Sequence, residues 1–207
     1  MTESPICALD TQEPVRGLLL LRHGATQWSR EGRHTGRTDL PLLPDGVAEA
    51  AAAASLIAAQ PISAIYSSPL RRAAATAAAL DLGLPIEHTD ALLEWDYGEY
   101  EGLTTEEIRA TRPDWDLFRD GCPGGESPAA IAARVAGFLD RLTFALDAPG
   151  FALAVAHGHV LRVLATSYAG LDIEVGRQLD LGAAHLCALG EGRDARVIAA
   201  WNVPPRL

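Results

Sequence analysis

The stretch GLLLLRHG, residues 17–24, joins an apolar run directly to an arginine, a histidine and a glycine. Gly17–Arg22 has the length and apolarity of a buried strand, and Gly24 is a residue at which a strand stops. An imidazole at a strand end can face a ligand while the peptide N–H groups after the glycine point into the same space. On its own, the triplet Arg-His-Gly is a weak signal that occurs mostly in surface loops.

Four more segments predict strands. They are Ala64–Ser67, Phe151–Ala156, Leu186–Leu189 and Val197–Trp201, bounded by proline, glycine or polar residues. The second of these segments runs directly into His157 and Gly158, which repeats the ending found at His23 and Gly24. In open α/β sheets the ligand crevice lies at the carboxyl ends of the strands. We therefore expect His23 and His157 to meet at one crevice.

Helical patterns alternate with the strands. They comprise Pro44–Gln60, a helix capped by Ser68 and Pro69 that runs towards Leu82, a short helix from the capping box of Thr104 and Glu107 to Pro113, a helix from Ser127, and a helix after His159. The helix from Ser127 has an apolar stripe made by Ile131, Val135, Phe138, Leu139, Leu142 and Leu146. The alternation predicts an α/β fold with three α/β/α layers and a mostly parallel central sheet.

The composition of the chain is that of one globular domain. Its 207 residues include 48% hydrophobic and 21% charged residues. The first fifteen residues contain two prolines and no apolar period, which indicates a loose leader over residues 1–14. We expect a single domain over residues 15–207, with a lid-like insertion around residues 95–127.

Net charge, hydropathy and cysteine spacing argue against several kinds of partner and site. A formal net charge of −10 disfavours nucleic acid, although arginines inside a cleft can still attract small anions. No apolar stretch approaches the length of a membrane span, so we expect a cytoplasmic protein with no membrane partner. Cys7, Cys122 and Cys187 are too widely spaced for a disulfide framework or a metal site. The sequence has no signal for the oligomeric state, and a homodimer is only a working assumption.

A phosphate site would be completed by arginines and a carboxylic acid near the two histidines. Arg22 and Arg72 are candidates because a planar guanidinium binds two phosphate oxygens and keeps its charge. A leaving alkoxide also needs a proton, and Glu94 lies between an apolar pair and Trp95, in desolvating surroundings. Residues 94–101 contain four acidic side chains, and residue types alone leave any of them open as the donor.

Four segments together resemble the histidine phosphatase superfamily, which also contains the cofactor-dependent phosphoglycerate mutases. The segments are LRHGATQWSREGRHTGRTDLPL (residues 21–42), IYSSPLRRAAATA (65–77), LLEWDYGEYEGLT (92–104) and VAHGHVLRVL (155–164). The resemblance extends to about Gly170. Each segment alone is moderately specific, whereas four segments in this order and at these separations are highly specific.

The resemblance implies a role for each matching residue. It implies that His23 is the nucleophile, that Glu94 is the proton donor, and that the phosphate is bound by Arg22, Arg72 and His157. Neutralising the phosphate charge without a metal favours a protonated His157. It also implies that Ser29, Thr35 and Gly36 line the substrate pocket, that Gly158 offers a backbone amide, and, as a weaker match, that Tyr97 contributes. It implies no metal and no other cofactor, and a small phosphorylated metabolite as substrate.

Within the family, the chain is most similar to acid phosphatases and sedoheptulose-bisphosphatase-like enzymes. Ser29, the run WDYGEYEG and the triplet HGH at residues 157–159 indicate that branch, and a segment typical of mutases after the acidic motif is missing. Mutase-type phosphoryl transfer remains an alternative. A metal-dependent hydrolase and a phosphate-binding module without turnover are two further alternatives. Leu43 departs from the family pattern, which often has a helix-capping threonine there.

Overall fold

The computed structural model describes residues 16–145 and 150–205. Six strands form one sheet in the order β3-β2-β4-β1-β5-β6. The strands are β1 (Arg16–Arg22), β2 (Ile62–Ser67), β3 (Ile86–His88), β4 (Gly150–Ala156), β5 (Leu186–Glu191) and β6 (Arg196–Val203). The first four strands pair in parallel, while β5 is antiparallel to both β1 and β6. The expected mostly parallel α/β sheet is confirmed.

Seven α-helices connect or follow these strands in the described residues. They are α1 (Gln27–Arg30), α2 (Pro44–Ile57), α3 (Arg71–Ala79), α4 (Thr105–Thr111), α5 (Leu117–Asp120), α6 (Pro128–Ala145) and α7 (Gly158–Tyr168). Short 3₁₀ helices cover Asp90–Leu92, Gly98–Tyr100 and Ile173–Gln178. Over residues 16–145 and 150–205, no helix combines the length and apolarity that a bilayer crossing requires.

The period of two in the central strands produces two cores, one on each face of the sheet. Leu18 and Leu20 of β1 belong to the core under α6 and α7, whereas Leu19 and Leu21 belong to the core under α2 and α3. All four side chains are fully buried. Because both faces are covered, β1 reads as an unbroken apolar run instead of an alternating one. The three-layer arrangement follows from this burial.

One strand was missed and one local prediction was wrong. Strand β3 was not predicted, since its three residues are too few to show a period and two of them are exposed. Ser68 is not the N-cap of α3, because the helix begins at Arg71 behind an extended Leu70 that makes no side-chain cap. The Ser68 hydroxyl instead contacts His157, at 2.8 Å. By contrast, the capping box of Thr104 and Glu107 is present, as predicted.

The apolar stripe of α6 packs as expected where it is described. Ile131, Val135, Phe138 and Leu142 are buried, and Leu139 packs partly buried against the same core. The predicted leader over residues 1–14, Cys7 and Leu146 lie outside the described residues. Leu43 occupies the N-cap of α2 without a side-chain hydrogen bond, as its departure from the family pattern implied.

Candidate active site

The two histidine-glycine pairs meet at the carboxyl ends of neighbouring strands. Strands β1 and β4 pair in parallel with Arg22 opposite Ala156, so the residues that follow them emerge side by side. The rings of His23 and His157 have centroids 5.1 Å apart and are tilted by 61° to each other. The predicted crevice between these strand ends is therefore present.

The imidazole of His23 is fixed in one tautomer. Its Nδ1 lies 2.7 Å from the carbonyl oxygen of Gly24, and a carbonyl only accepts, so Nδ1 carries the proton. Nε2 makes no hydrogen bond with any described residue and keeps its lone pair. Burial, together with the charges of Arg22 and Arg72, holds the pKa of His23 well below 6.5. His23 is consequently a neutral imidazole with a free Nε2, as a nucleophile requires.

His157 differs from His23 because both of its ring nitrogens are hydrogen-bonded. Arg72 donates from Nε to Nδ1 of His157 at 3.1 Å, so Nδ1 has no proton and Nε2 donates to the Ser68 hydroxyl at 2.8 Å. Burial and the charge of Arg72 hold the pKa of His157 well below 6.5. The expectation of a protonated His157 was wrong, because an arginine donor and a protonated Nδ1 cannot share the contact.

Arg72 lies fully buried behind the two histidines. Its Nη groups donate to the backbone carbonyls of Thr35, Gly36 and Thr38 at 2.9–3.0 Å. This arginine therefore holds the loop of residues 35–38 against α3 while its charge stays close to His23. Its direct contact with a phosphate group stays a prediction.

Arg22 lines the crevice and is only partly paired among the described residues. One Nη of Arg22 donates to the carbonyl of Leu181, whereas Nε is buried and has no partner among residues 16–145 and 150–205. A buried N–H without a partner costs free energy, so the position favours a ligand that accepts from it. Arg22 is the phosphate-binding candidate whose geometry fits that role most directly.

Glu94 is held at the N-terminus of α7. The side chain is 4% exposed and follows the 3₁₀ helix Asp90–Leu92. Its Oε1 accepts from the backbone N–H groups of Trp95 and Val160, at 2.9 and 2.8 Å, while Oε2 accepts from that of His159 at 3.0 Å. Oε1 is thus fully occupied, and Oε2 is the oxygen with room to exchange a proton with a ligand.

These side chains border a cavity of about 230 Å³. It is lined by Arg22, His23, Ser29, Gly32, Arg33, His34, Thr35, Glu94, Tyr97, Thr105, Gly158, His159, Arg162, Asp180 and Leu181. Seven of the ten residues singled out in the sequence belong to the wall. Arg72 and His157 lie behind His23, and Gly36 lies below the wall, where its N–H donates to Glu101 and its carbonyl accepts from Arg72.

The outer wall contains residues that the sequence did not single out as site residues. His34 and His159 flank Tyr97, whose hydroxyl lies 2.6 Å from Nδ1 of His159. Burial lowers the pKa of His34 to about 4, so this wall is neutral apart from its arginines and carboxylates. Arg162 was missed although it lies four residues after Gly158, on the same face of α7. That spacing was the available signal.

The expected lid segment packs against the body of the protein. Trp95 donates from Nε1 to the carbonyl of Glu126 at 3.0 Å, and the Glu126 carboxylate accepts from Arg134 on α6 at 2.8 Å. The segment contributes Tyr97 and Thr105 to the cavity wall. Its closure over a ligand stays a prediction.

In the described part of the chain no group of three or more histidine, cysteine or acidic side chains has the arrangement of a metal site.

Comparisons with known proteins agree with this architecture. Residues 18–204 match the model of the histidine phosphatase superfamily (branch 1). An acid phosphatase of Mycobacterium tuberculosis is 38% identical over 192 residues, covering 90% of this chain and 92% of the relative. The sedoheptulose 1,7-bisphosphatase of Saccharomyces cerevisiae is 32% identical, covering 75% and 68%. A solved structure of an open reading frame from M. tuberculosis superposes with a TM-score of 0.87 at 35% identity, covering 92% and 99%.

Proposed function

Since the chain belongs to the histidine phosphatase superfamily, we propose that it hydrolyses phosphate monoesters of small metabolites through a phosphohistidine on His23. The general class is phosphoric monoester hydrolase, as the family and the similar acid phosphatase indicate. Sugar phosphates or sugar bisphosphates are the proposed substrates. The relative named for a sugar bisphosphate supports that choice.

One observation carries the proposal, namely the hydrogen bond from His23 Nδ1 to the Gly24 carbonyl at 2.7 Å. It directs the free lone pair of Nε2 toward the cavity that Arg22 and Glu94 also line. Phosphoryl transfer depends mainly on positioning and on neutralising charge on the phosphate oxygens. A fixed neutral imidazole beside an arginine with an unpaired N–H meets both requirements.

In the first half of the reaction, Nε2 of His23 attacks the phosphorus while the bond to the leaving oxygen breaks. The phosphate oxygens accept from the Arg22 guanidinium and from the Gly158 backbone amide. Glu94 gives the proton from Oε2 to the leaving oxygen, and the alcohol departs. The products of this half are an alcohol, a phosphohistidine and a Glu94 carboxylate.

In the second half, the Glu94 carboxylate takes a proton from water as the water oxygen attacks phosphorus. The P–N bond breaks, its electron pair returns to Nε2, and inorganic phosphate leaves. Glu94 is protonated again and the cycle closes. No metal takes part in these reaction steps, so the activity is expected to be the same in excess chelator.

The test is release of inorganic phosphate from a panel of sugar phosphates, sugar bisphosphates, phosphoglycerates and nucleotides, ranked by kcat/KM. Release in chelator supports the proposal. Transfer to an added acceptor without net release indicates mutase-type chemistry instead. Binding without release or transfer indicates a phosphate-binding module, and activity that requires added metal contradicts the mechanism.

We also retain two proposals that concern the whole protein. One is a cytoplasmic location, which cell fractionation tests. A homodimer is tested by light scattering or sedimentation.

A further inference from the structure

The cavity wall contains three arginines with different degrees of pairing. Arg22 lies beside His23 and belongs to the reaction centre. Arg33 forms ion pairs with Glu31 and Glu107, both at 3.1 Å, so its charge is already compensated. Arg162 forms no ion pair with any described residue. Beyond the reaction centre, Arg162 is therefore the arginine of this wall without an ion pair among the described residues.

The guanidinium of Arg162 is held in one orientation by two contacts. Its Nε donates to the carbonyl of Gly176 at 2.7 Å, and its Cζ lies 4.8 Å from the centre of the Phe118 ring. Neither Nη has a partner among the described residues, and the side chain lines the same cavity as His23. The edge formed by the two Nη groups is consequently fixed and free to donate.

A half-buried guanidinium without a counter-charge is unfavourable unless a ligand provides one. Burial lowers the pKa of Arg162, which reports the desolvation of its charge. The two Nη donors form a planar fork that matches the spacing of two oxygens on a carboxylate or a phosphate. A pre-oriented fork loses little conformational entropy on binding.

From this arrangement we propose that Arg162 binds a second oxyanion on the substrate, at the end of the molecule remote from the phosphoryl group attacked by His23. The preferred substrates are phosphate monoesters that carry a carboxylate or a further phosphate, and polyol phosphates of equal size without a second anionic group are poorer. This inference rests on the proposed function, because it assigns the second substrate group that the same cavity binds.

Asp180 has the opposite charge to Arg162 and affects binding at the same subsite. It lines the cavity, and its charge is the largest electrostatic influence that raises the pKa of Arg162, although the two side chains form no ion pair. An exposed carboxylate in this position repels an incoming oxyanion and offsets part of the attraction to Arg162. Neutralising Asp180 therefore favours acidic substrates, whereas neutralising Arg162 disfavours them.

The experiment compares kcat/KM for two matched pairs of esters. They are 3-phosphoglycerate with glycerol 3-phosphate, which differ by a carboxylate, and fructose 1,6-bisphosphate with fructose 6-phosphate, which differ by a phosphate. In each pair, the acidic member is the ester with the second anionic group. Arg162→Met is expected to lower kcat/KM for the acidic member by roughly 30-fold more than for the ester without that group, the size of a charge-assisted hydrogen bond. Arg33→Met, at a paired arginine of the same wall, changes both members alike. Asp180→Asn improves the acidic member alone, by about twofold.

Equal losses for both members of each pair in Arg162→Met would make Arg162 a scaffold residue and overturn the inference. So would an Arg33→Met variant that discriminates as strongly as Arg162→Met. If Arg162→Met does not fold, Arg162→Lys and Asp180→Asn decide the matter, and an unchanged preference in both overturns it. If the wild-type protein cleaves no ester, the proposed function fails, and the dissociation constants of the same four compounds, measured by calorimetry, still decide the inference.

Discussion

The ends of β1 and β4 have the same dipeptide and contrasting chemistry. His23 and His157 each follow a buried strand, each precede a glycine, and lie with ring centroids 5.1 Å apart. His23 uses one nitrogen to bind a carbonyl and leaves the other free, whereas His157 has both nitrogens engaged, by Arg72 and Ser68. The hydrogen-bond partners, and not the local sequence, separate a nucleophile from a supporting residue.

The largest expected effect comes from replacing each of the two histidines in turn. His23→Ala is expected to lower kcat by about 10⁴-fold or more with the fold intact, because the residue forms the covalent bond. His157→Ala is expected to lose less, since it removes a neighbour and leaves the nucleophile in place. Steady-state phosphate release and circular dichroism measure both. Equal losses in the two variants contradict the contrast between them.

The second effect concerns Glu94, the proposed proton donor in the reaction at His23. Glu94→Gln is expected to slow an alkyl phosphate by about 10³-fold, because glutamine does not donate a proton to the alkoxide. The loss for p-nitrophenyl phosphate is expected to be within about tenfold, since that phenolate leaves without help. Parallel assays on the two esters measure this, and an identical loss on both removes Glu94 from the donor role.

The third effect is the pH dependence that follows from neutral buried histidines. Burial lowers the pKa of His34 to about 4, so between about pH 6.5 and pH 4 the unfolded chain binds a proton there that the folded chain does not. This contribution to stability is present above pH 6.5 and is lost as the pH falls. Relative to His34→Gln, the wild-type protein is expected to lose about 2 kcal/mol more between pH 7 and pH 5.

Urea unfolding at both pH values measures that difference. His88, an exposed histidine on β3, provides the matched control, because His88→Gln replaces an imidazole that the fold leaves in contact with solvent. A His34→Gln variant with the wild-type pH dependence contradicts the role given to burial.

The smallest effect tests the support of His157. Ser68→Ala removes the acceptor of His157 Nε2 and is expected to lower kcat about fivefold, because the second imidazole then loses one of its two fixed contacts. Ser63→Ala, at an exposed serine of β2 that bonds to the Phe151 carbonyl, is the control and is expected to stay within about twofold. Comparable losses in both variants contradict a specific role for Ser68.

Much of the fold was accessible from local patterns. The unbroken apolar runs before the two histidines reflect burial on both faces of the sheet, and the stripe from Ile131 to Leu142 has the period of a helix with one buried face. Strand β3 was missed in the sequence because a three-residue edge strand depends on pairing with β2 and has no hydrophobic period of its own.

The site was predicted less completely, for a different reason. His23 and His157 were accessible because adjacent parallel strands bring equivalent ends together. A neutral His23 whose second nitrogen donates to a backbone carbonyl was also predictable. The protonation of His157 was not, since the bond from Arg72 to His157 joins residues 85 positions apart in the chain. Likewise, the spacing from Gly158 indicates only that Arg162 shares a helix face with it. The fold shows that Arg162 lines the cavity and that its Nη groups have no partner among the described residues.

The central claim concerns a single atom, Nε2 of His23. Rapid acid-free quenching during turnover of a radiolabelled ester, followed by peptide mapping and identification of the phosphohistidine isomer, tests it most directly. We expect phosphate on Nε2 of His23, because Nδ1 is held by the Gly24 carbonyl at 2.7 Å. Phosphate on Nδ1, phosphate on His157, or steady release without any phosphorylated protein would contradict the account.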